Sequence, residues 1–558
     1  MTTLESTQQL TVPASISGRA GLALALLLPI FAVAPLFYPG YFQTHTGLTP
    51  LWNVAELQAN LPAWSWVPHV ALQFDPLRSS GILPYYVAGL LPVSPVAAVK
   101  LVIGSAWVLG SVGMFLWLKY WLGRPGALLA ALVYTYLPYQ IATVYVRGEW
   151  GESLFWGGLP WALLASSYLV TSPRLPVVAV TVLAWLGLAL SQLGLALWAL
   201  LFTILLLLVV HPRQSLRPIL SAGLGTGAAI MLYTMISADL TPAVVTFSDH
   251  FLYPFQLFSA YWGFGPSRPG WNDGLSLQLG LAALGLAIVS VAIWQQQSPL
   301  YSDVSRTDRR LIFFLAAAVV LTLLQLGVAA FLWAIPIWPG HTLAHTLTYP
   351  WQLLGLTGLC LAILAGAAPW LDTRLAQLPM WTALVVLVVL SSYIYLSPQF
   401  SQVQPYLAGP EAEWGDHQLT LVDHHVAVVV SGHTAGLARG VAEIPLTAYG
   451  LLQTNDQLML HVTWHPLRPF EQSLKVFVHL ADANNRVFAQ YDGYPRGGGY
   501  PTLDWIPGEL ITDAYPLRLP AAAPAGPYRL FLGLYDEASL TRLPVPTDPE
   551  GRVILNVQ

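Results

Sequence analysis

Long apolar stretches with few charges recur along the first 400 residues, and they constrain the fold more than any other feature. A run of roughly 18 or more apolar residues is the length that crosses a bilayer as one α-helix. Only 9% of the 558 residues are charged, whereas a soluble globular chain carries about 25%. So few charges cannot cover a water-facing surface, and we predict a polytopic α-helical membrane protein.

Eleven segments have the length and composition of membrane spans. They are residues 21–38, 96–118, 125–141, 153–171, 175–191, 193–210, 218–237, 275–295, 311–333, 349–367 and 379–397. The apolar piece 82–92 is too short for a separate crossing, and it is expected to re-enter the membrane or to lie at the interface before the second span.

Lysine and arginine predict how these spans are oriented, because they accumulate in cytoplasmic loops. With the N-terminus in the cytoplasm, the inner loops hold ten such residues and the outer loops before the last span hold three. Residues 1–20 are then a cytoplasmic tail, and residues 21–397 form the membrane domain. An odd number of crossings places everything after Ser397 outside.

The composition changes after residue 397. Residues 398–410 are predicted to be a linker. Residues 411–558 contain six segments of strand length, "QLMLHVTWH", "SLKVFVHLAD", "RVFAQYDGY", "ELITDAYPLRL", "YRLFLGLYD" and "VILNV". "ADANN" at 481–485 has the composition of a hairpin turn. Six or more short strands at this spacing predict an extracytoplasmic antiparallel β-sandwich.

Three long loops lie on the predicted outer face, at residues 39–81, 238–273 and 334–348. Long loops tend to be functional, so a site is expected to open outward. A carboxylate can take a proton from a hydroxyl group, and positive charge can hold a phosphate. The first loop offers Glu56 and Asp75 for the first task and Arg78 for the second, with His45 nearby in sequence. Alternatively, Glu56 lies on the wet face of an interfacial helix, since "PLWNVAELQANL" has helical spacing.

Three further charges, Arg147, Glu149 and Glu152, lie between the third and fourth predicted spans. Ionisable groups between spans are candidates for function. The arginine could hold a phosphate, and Glu152 is a candidate catalytic residue that orients it. The alternative is an interfacial ion pair that joins two helices. Glu149 and Glu152 share a face if the fourth helix begins near Glu149.

Other functional classes find little support in the sequence. No basic patch indicates nucleic-acid binding, and the single cysteine excludes a disulfide framework. His341 and His345 are four residues apart, but no third ligand lies near them in sequence. We expect no cofactor, and a divalent metal is not indicated. A transporter would need ionisable groups near mid-membrane, and the charges gather at one face instead.

The chain resembles a group of bacterial polytopic proteins related to the GT-C membrane glycosyltransferases, some of which are labelled 6-pyruvoyl-tetrahydropterin synthase-related membrane proteins. The group's Tyr-x-Arg-Gly-x-x-x-Glu motif is intact as Tyr145, Arg147, Gly148 and Glu152. Its Phe-Pro-Trp-Arg motif looks like "YPWQ", from Tyr349 to Gln352, and its exterior β-sandwich is the closest match.

This resemblance implies a glycosyltransferase that takes a sugar from a polyprenyl-phosphate donor at the outer face of a bacterial plasma membrane. A glycan or lipid would accept the sugar, and Tyr145, Glu149, His45, Tyr349 and Gln352 would help to bind substrate. GT-C enzymes take a catalytic aspartate from the first outer loop, but Thr46 stands at that position here. Either Glu56 or Asp75 replaces the aspartate, or the chain is an inactive relative that binds glycolipid or assists the assembly of envelope polysaccharide. Asn53, Gln192 and Gln352 also depart from the group's motifs and favour the inactive relative.

Overall fold

The computed structural model describes a helical block up to residue 400 and a strand-rich block from residue 436. The described residues are 16–59 except 43, 47 and 48; 77; 81–236; 247–297 except 266, 268, 269 and 272; 306–400 except 339; 436–439; 442–454; 457–464; 470; 472–495; 501–505; 511–518; 528–545; and 548–557.

The helical block is built from long helices joined by short turns. Its α-helices within the described residues are α1 (Gly18–Leu27), α2 (Ile30–Val33), α3 (Thr49–Ala59), α4 (Leu83–Gly89), α5 (Pro95–Leu118), α6 (Gly123–Thr135), α7 (Pro138–Ala142), α8 (Trp150–Thr171), α9 (Leu175–Ser191), α10 (Leu193–Val210), α11 (Leu216–Ile236), α12 (Leu281–Gln297), α13 (Arg306–Leu324), α14 (Ala330–Trp333), α15 (Leu354–Leu371) and α16 (Leu378–Tyr393). A two-stranded ribbon of β1 (Pro336–Trp338) and β2 (His341–Thr342) lies between α14 and α15.

Each of the eleven predicted spans coincides with one or more of these helices. Within the described residues, seven helical segments are long and apolar enough to cross a membrane, and α9, α12 and α16 are shorter apolar helices. The protein is therefore a multi-pass helical membrane protein. The count of eleven crossings, the domain limits and the orientation of the termini remain predictions.

Two segments occupy the centre of the helical block. The segment Gly123–Arg147 is 100% buried over its most apolar window, and Pro350–Leu371 is 94% buried. Helix α6 crosses α15 at two glycines, because a Cβ atom on Gly126 would lie 2.4 Å from the carbonyl oxygen of Gly366. Small residues let helix backbones approach this closely within membranes. This crossing fixes the helix that leads into the Tyr-x-Arg-Gly motif.

The strand-rich block forms two antiparallel four-stranded sheets. Its strands are β3 (Gly436–Arg439), β4 (Ala442–Thr454), β5 (Gln457–Trp464), β6 (Lys475–Ala481), β7 (Val487–Gly493), β8 (Ile511–Arg518), β9 (Tyr528–Tyr535) and β10 (Val553–Val557). The sheet orders are β10-β9-β6-β7 and β3-β4-β5-β8, and residues from both sheets share one buried core. The predicted turn between β6 and β7 is present, with Asn485 at φ 64°. A membrane-spanning helical part followed by a β-sandwich confirms the predicted fold class.

Candidate functional site

A broken helical hairpin presents the charged motif. Helix α6 ends before Pro138, because proline lacks the N–H that would continue the helical hydrogen bonds. After α7 comes one π-helical turn, Thr143–Arg147, which Gly148 closes in the left-handed region at φ +75°. Helix α8 then begins at Trp150 and carries Glu152 in its first turn, where the helix dipole favours a negative charge.

Arg147 and Glu152 form a buried ion pair across this hairpin. Arg147 Nη1 donates to Glu152 Oε2 at 2.8 Å, and the two side chains retain 8% and 1% of their accessible surface. The same Nη1 also donates to Thr143 Oγ1 at 3.3 Å and to the Tyr139 hydroxyl at 3.5 Å. The π turn therefore points Arg147 back at the first turn of the next helix, as the ion-pair interpretation of the sequence expected.

The Glu152 carboxylate accepts hydrogen bonds from four side chains. Its Oε1 accepts from the Tyr139 hydroxyl and from Trp156 Nε1, the latter at 3.3 Å. Its Oε2 accepts from Arg147 and, at 3.5 Å, from Gln352 Nε2. These four donors occupy both carboxylate oxygens. Glu152 is thus better placed to fix Arg147 than to take a proton.

An aromatic wall flanks the arginine. The Arg147 guanidinium lies 4.7 Å from the ring centre of Trp351, which stacks on Tyr349 at 4.5 Å and an interplanar angle of 11°. A cation over an aromatic face gains on the order of 0.5–2 kcal/mol, more when it is desolvated. Gln352 completes the turn by accepting from the backbone N–H of Thr348 at 2.9 Å and of Tyr349 at 3.1 Å. Of the candidates from the "YPWQ" segment, Gln352 contacts the charged motif directly, and Tyr349 is linked to it through Trp351.

The first loop runs beside the motif. The backbone N–H groups of His45 and Thr46 donate to the carbonyl oxygens of Val146 and Arg147 at 3.0 and 3.1 Å. The Thr46 hydroxyl donates to the carbonyl of Gly148 at 3.1 Å. The residue at the expected aspartate position is thus adjacent to the arginine motif, but its hydroxyl is occupied with the backbone.

The other candidate residues lie in different surroundings. Tyr145 points away from the ion pair and donates to the carbonyl of Ala32 at 2.7 Å. Glu149 is half-buried at the N-cap of α8. Glu56 belongs to α3, but its side chain lies outside the described residues, as do Asp75 and Arg78 entirely.

Sequence reasoning missed several residues that the hairpin gathers around the ion pair. Trp351 could have been identified from the sequence, because it lies in the quoted "YPWQ" segment between Tyr349 and Gln352. Tyr139 and Thr143 carry no comparable signal, since the helix break and the π turn bring them to Glu152 and Arg147, respectively. Trp156 lies one helical turn after Glu152 on α8.

A short chain of polar contacts continues from the wall into the middle loop. Trp351 Nε1 donates to Ser267 Oγ at 3.1 Å, and Ser267 Oγ shares a hydrogen bond with His250 Nδ1 at 3.0 Å. Because the serine oxygen already accepts from the indole, its own proton is available to a neutral His250. Burial lowers the pKa of His250 to about 4, although the neighbouring Asp249 carboxylate opposes the shift. His250 also packs edge-on against Tyr349, with ring centres 4.9 Å apart.

Acidification is expected to destabilise the protein around His250. An unfolded chain binds a proton at histidine below pH about 6.5, whereas folded His250 excludes it down to about pH 4. The contribution of neutral His250 to the free energy of unfolding is therefore fully present above pH 6.5. It is lost as the pH falls, by about 2 kcal/mol between pH 7 and 5. Unfolding followed by tryptophan fluorescence should show a smaller pH dependence in His250→Gln than in the wild type. An identical pH dependence in the two proteins would contradict this assignment.

Comparisons with known proteins give little beyond this geometry. No protein-family model matches the chain, and no curated protein sequence matches it. Among solved structures, the chain is similar to the arabinosyltransferase EmbB from Mycobacterium smegmatis at 12% identity and a TM-score of 0.35. That alignment covers 94% of this chain and 64% of EmbB. A likeness this distant carries no argument about the activity, so the GT-C group remains a resemblance in the motifs.

Proposed function

We propose that the protein is an integral membrane glycosyltransferase of the GT-C type, which transfers a sugar from a polyprenyl-phosphate donor at the outer face of the membrane. The N-terminus would lie in the cytoplasm and the β-sandwich outside, as the arginine distribution favours. The observation that carries the proposal is the Arg147 guanidinium, which lies at the end of a membrane span beside an aromatic wall.

We infer that two nitrogens of the guanidinium, Nε and Nη2, would donate to a phosphate. Among the described residues, all three of its side-chain hydrogen bonds leave from Nη1. The Nε and Nη2 atoms form the side-on edge that binds phosphate oxygens in a bidentate manner. Glu152 holds the guanidinium through its other edge, and Trp351 fixes the plane of the group.

Two groups of residues would then share the sugar-transfer reaction, one at the leaving phosphate and one at the acceptor hydroxyl. Arg147 neutralises the charge that builds on the leaving phosphate as the bond from the anomeric carbon to the phosphate oxygen breaks and the oxygen keeps the electron pair. A first-loop carboxylate, Glu56 or Asp75, takes the proton from the acceptor hydroxyl as its oxygen bonds to the anomeric carbon. Glu152 positions Arg147 and is not the base, because four donors occupy it. The acceptor would be a glycan or a lipid.

The test uses a variant that keeps the fold. In Arg147→Met/Glu152→Gln both charges are lost together, and the glutamine amide oxygen can still accept from Tyr139 and Trp156. We expect sugar transfer to fall at least a hundredfold, about 2.7 kcal/mol of transition-state binding, in membranes supplied with a polyprenyl-phosphate-linked sugar. Arg374→Met, at an exposed arginine of a predicted inner loop, is the matched control and should keep wild-type transfer. A folded double variant that still transfers sugar would rule out the role of Arg147.

The second candidate is a non-catalytic relative that binds glycolipid or assists the assembly of envelope polysaccharide. The observation in its favour is Thr46, which has no carboxylate and whose hydroxyl is bonded to the Gly148 carbonyl. It predicts that the wild type binds a polyprenyl-phosphate sugar without turning it over. Transfer that is lost in Glu56→Gln or in Asp75→Asn would defeat this candidate.

A further inference from the structure

The middle loop contains a surface cleft away from the ion pair. Its volume is ≈ 240 Å³, and its lining includes Phe255, Gln256, Tyr261, Trp271, Asp273 and Ser276. Ligand sites for drug-sized molecules span roughly 300–1,000 Å³. The cleft is therefore suited to a ligand of about one ring, or to the end of a longer chain.

The cleft is preformed by hydrogen bonds within the loop. The Leu279 N–H donates to the Leu257 carbonyl at 3.0 Å, and the Gly265 N–H donates to the Gly274 carbonyl at 3.1 Å. Across the floor, Gln256 Nε2 donates to Asp273 Oδ2 at 2.7 Å. A site held in this way loses little conformational entropy when a ligand binds.

Exposed aromatic rings rim the cleft. Trp271 is 66% exposed, Tyr261 is 55% exposed and Phe255 is 53% exposed. Phe255 and Trp271 approach edge-on, with ring centres 6.5 Å apart and an interplanar angle of 67°. Large exposed aromatic side chains grouped in one place mark a surface that binds something.

The floor of the cleft is polar. Gln256 and Ser276 are buried there, with 7% and 3% of their surface exposed, and Asp273 contributes a carboxylate. A hydrocarbon chain in the cleft would take water from the Asp273 carboxylate and give it no hydrogen bond in return, which is unfavourable. Asp273 is the charged group among the described lining residues, and its carboxylate would repel an anionic phosphate.

We propose that this cleft binds a neutral sugar ring. A pyranose or furanose has a face of C–H groups that packs on Trp271 or Tyr261, and its hydroxyl groups can bond to the amide and carboxylate on the floor. The ligand class follows from these residues alone, so the inference holds whether or not the chain catalyses transfer. Within the proposed function, the cleft would hold the acceptor glycan and not the donor phosphate.

Binding can be measured without any donor. The purified protein in detergent is tested against immobilised neutral tetrasaccharides of glucose, mannose, galactose and arabinose. We expect at least one to bind and Trp271→Ala to weaken that binding about tenfold, equivalent to about 1.4 kcal/mol. Phe258→Ala is the matched control, because Phe258 belongs to the same loop, is also 66% exposed and does not line the cleft. It should bind as the wild type does.

Three outcomes would overturn the proposal. In the first, no tetrasaccharide binds the wild type. In the second, Trp271→Ala and Phe258→Ala change binding to the same extent. In the third, binding is unchanged, but both variants alter quenching by brominated lipids, which would make the rings membrane anchors. Because the assay contains no polyprenyl-phosphate sugar, its failure is distinct from a failure of the transfer reaction.

Discussion

Replacing Arg147 with alanine is expected to lower the free energy of unfolding by about 3–5 kcal/mol, because it leaves the buried Glu152 carboxylate without its counter-charge. Glu152 is 1% exposed, so water cannot take the place of the arginine. The Arg147→Met/Glu152→Gln variant should recover most of this loss, since replacing both members of a buried pair is often nearly neutral.

The chain carries a convenient reporter for that experiment. Its one cysteine, Cys360, is buried on α15. A thiol-reactive fluorogenic dye therefore reports unfolding of the helical block at neutral pH. Equal unfolding temperatures for the wild type and Arg147→Ala would show that the ion pair does not hold the hairpin together.

Gly148→Ala is expected to lower the free energy of unfolding by about 3 kcal/mol, nearly as much as Arg147→Ala. The left-handed conformation at φ +75° disfavours any side chain by about 1–2 kcal/mol. In addition, a Cβ atom there would lie 2.3 Å from the hydroxyl oxygens of Thr44 and Thr46, and such overpacking adds about 1–3 kcal/mol. The first loop would have to move away from the motif.

Gly123 provides the matched control for this prediction. It has a similar φ of +68°, but an added Cβ would have only Pro125 Cδ within reach, at 4.0 Å. Gly123→Ala should therefore lower the free energy of unfolding by about 1 kcal/mol, which is the cost of the left-handed backbone conformation alone. If thermal unfolding shows equal losses for the two alanine variants, the contact between the first loop and Gly148 is not close.

Local patterns were enough to predict the architecture. Long apolar runs specify helices by length alone, so each predicted span coincides with a helix. Six quoted strand segments likewise match β5 to β10, because alternation and turn residues act locally. Strands β3 and β4 were missed. The second of them has 13 residues and contains Pro445, an unfavourable residue for a strand interior.

The site was only partly predictable. An ion pair among Arg147, Glu149 and Glu152 was one of two interpretations of the sequence. The structure forms it between Arg147 and Glu152, with four residues between them. Nothing local could predict that Tyr139 would share the carboxylate or that Trp351 would cover the guanidinium. The break at Pro138 is local, but those contacts also depend on α15 packing against α6, which is a tertiary contact. Gln352 was expected to bind substrate, but it also caps its own turn.

The burial of the two central segments has a consequence for how the chain is made. Insertion into a membrane depends on how each nascent helix partitions into lipid, before its neighbours exist. In the finished protein Gly123–Arg147 and Pro350–Leu371 are surrounded by other helices. Their apolar character is therefore required for insertion into the membrane, although little of either segment contacts lipid in the folded protein. Polar replacements in these two segments are expected to reduce insertion at the translocon. In lipid-facing helices, such replacements are disfavoured both at insertion and in the folded protein, because those helices stay in contact with lipid.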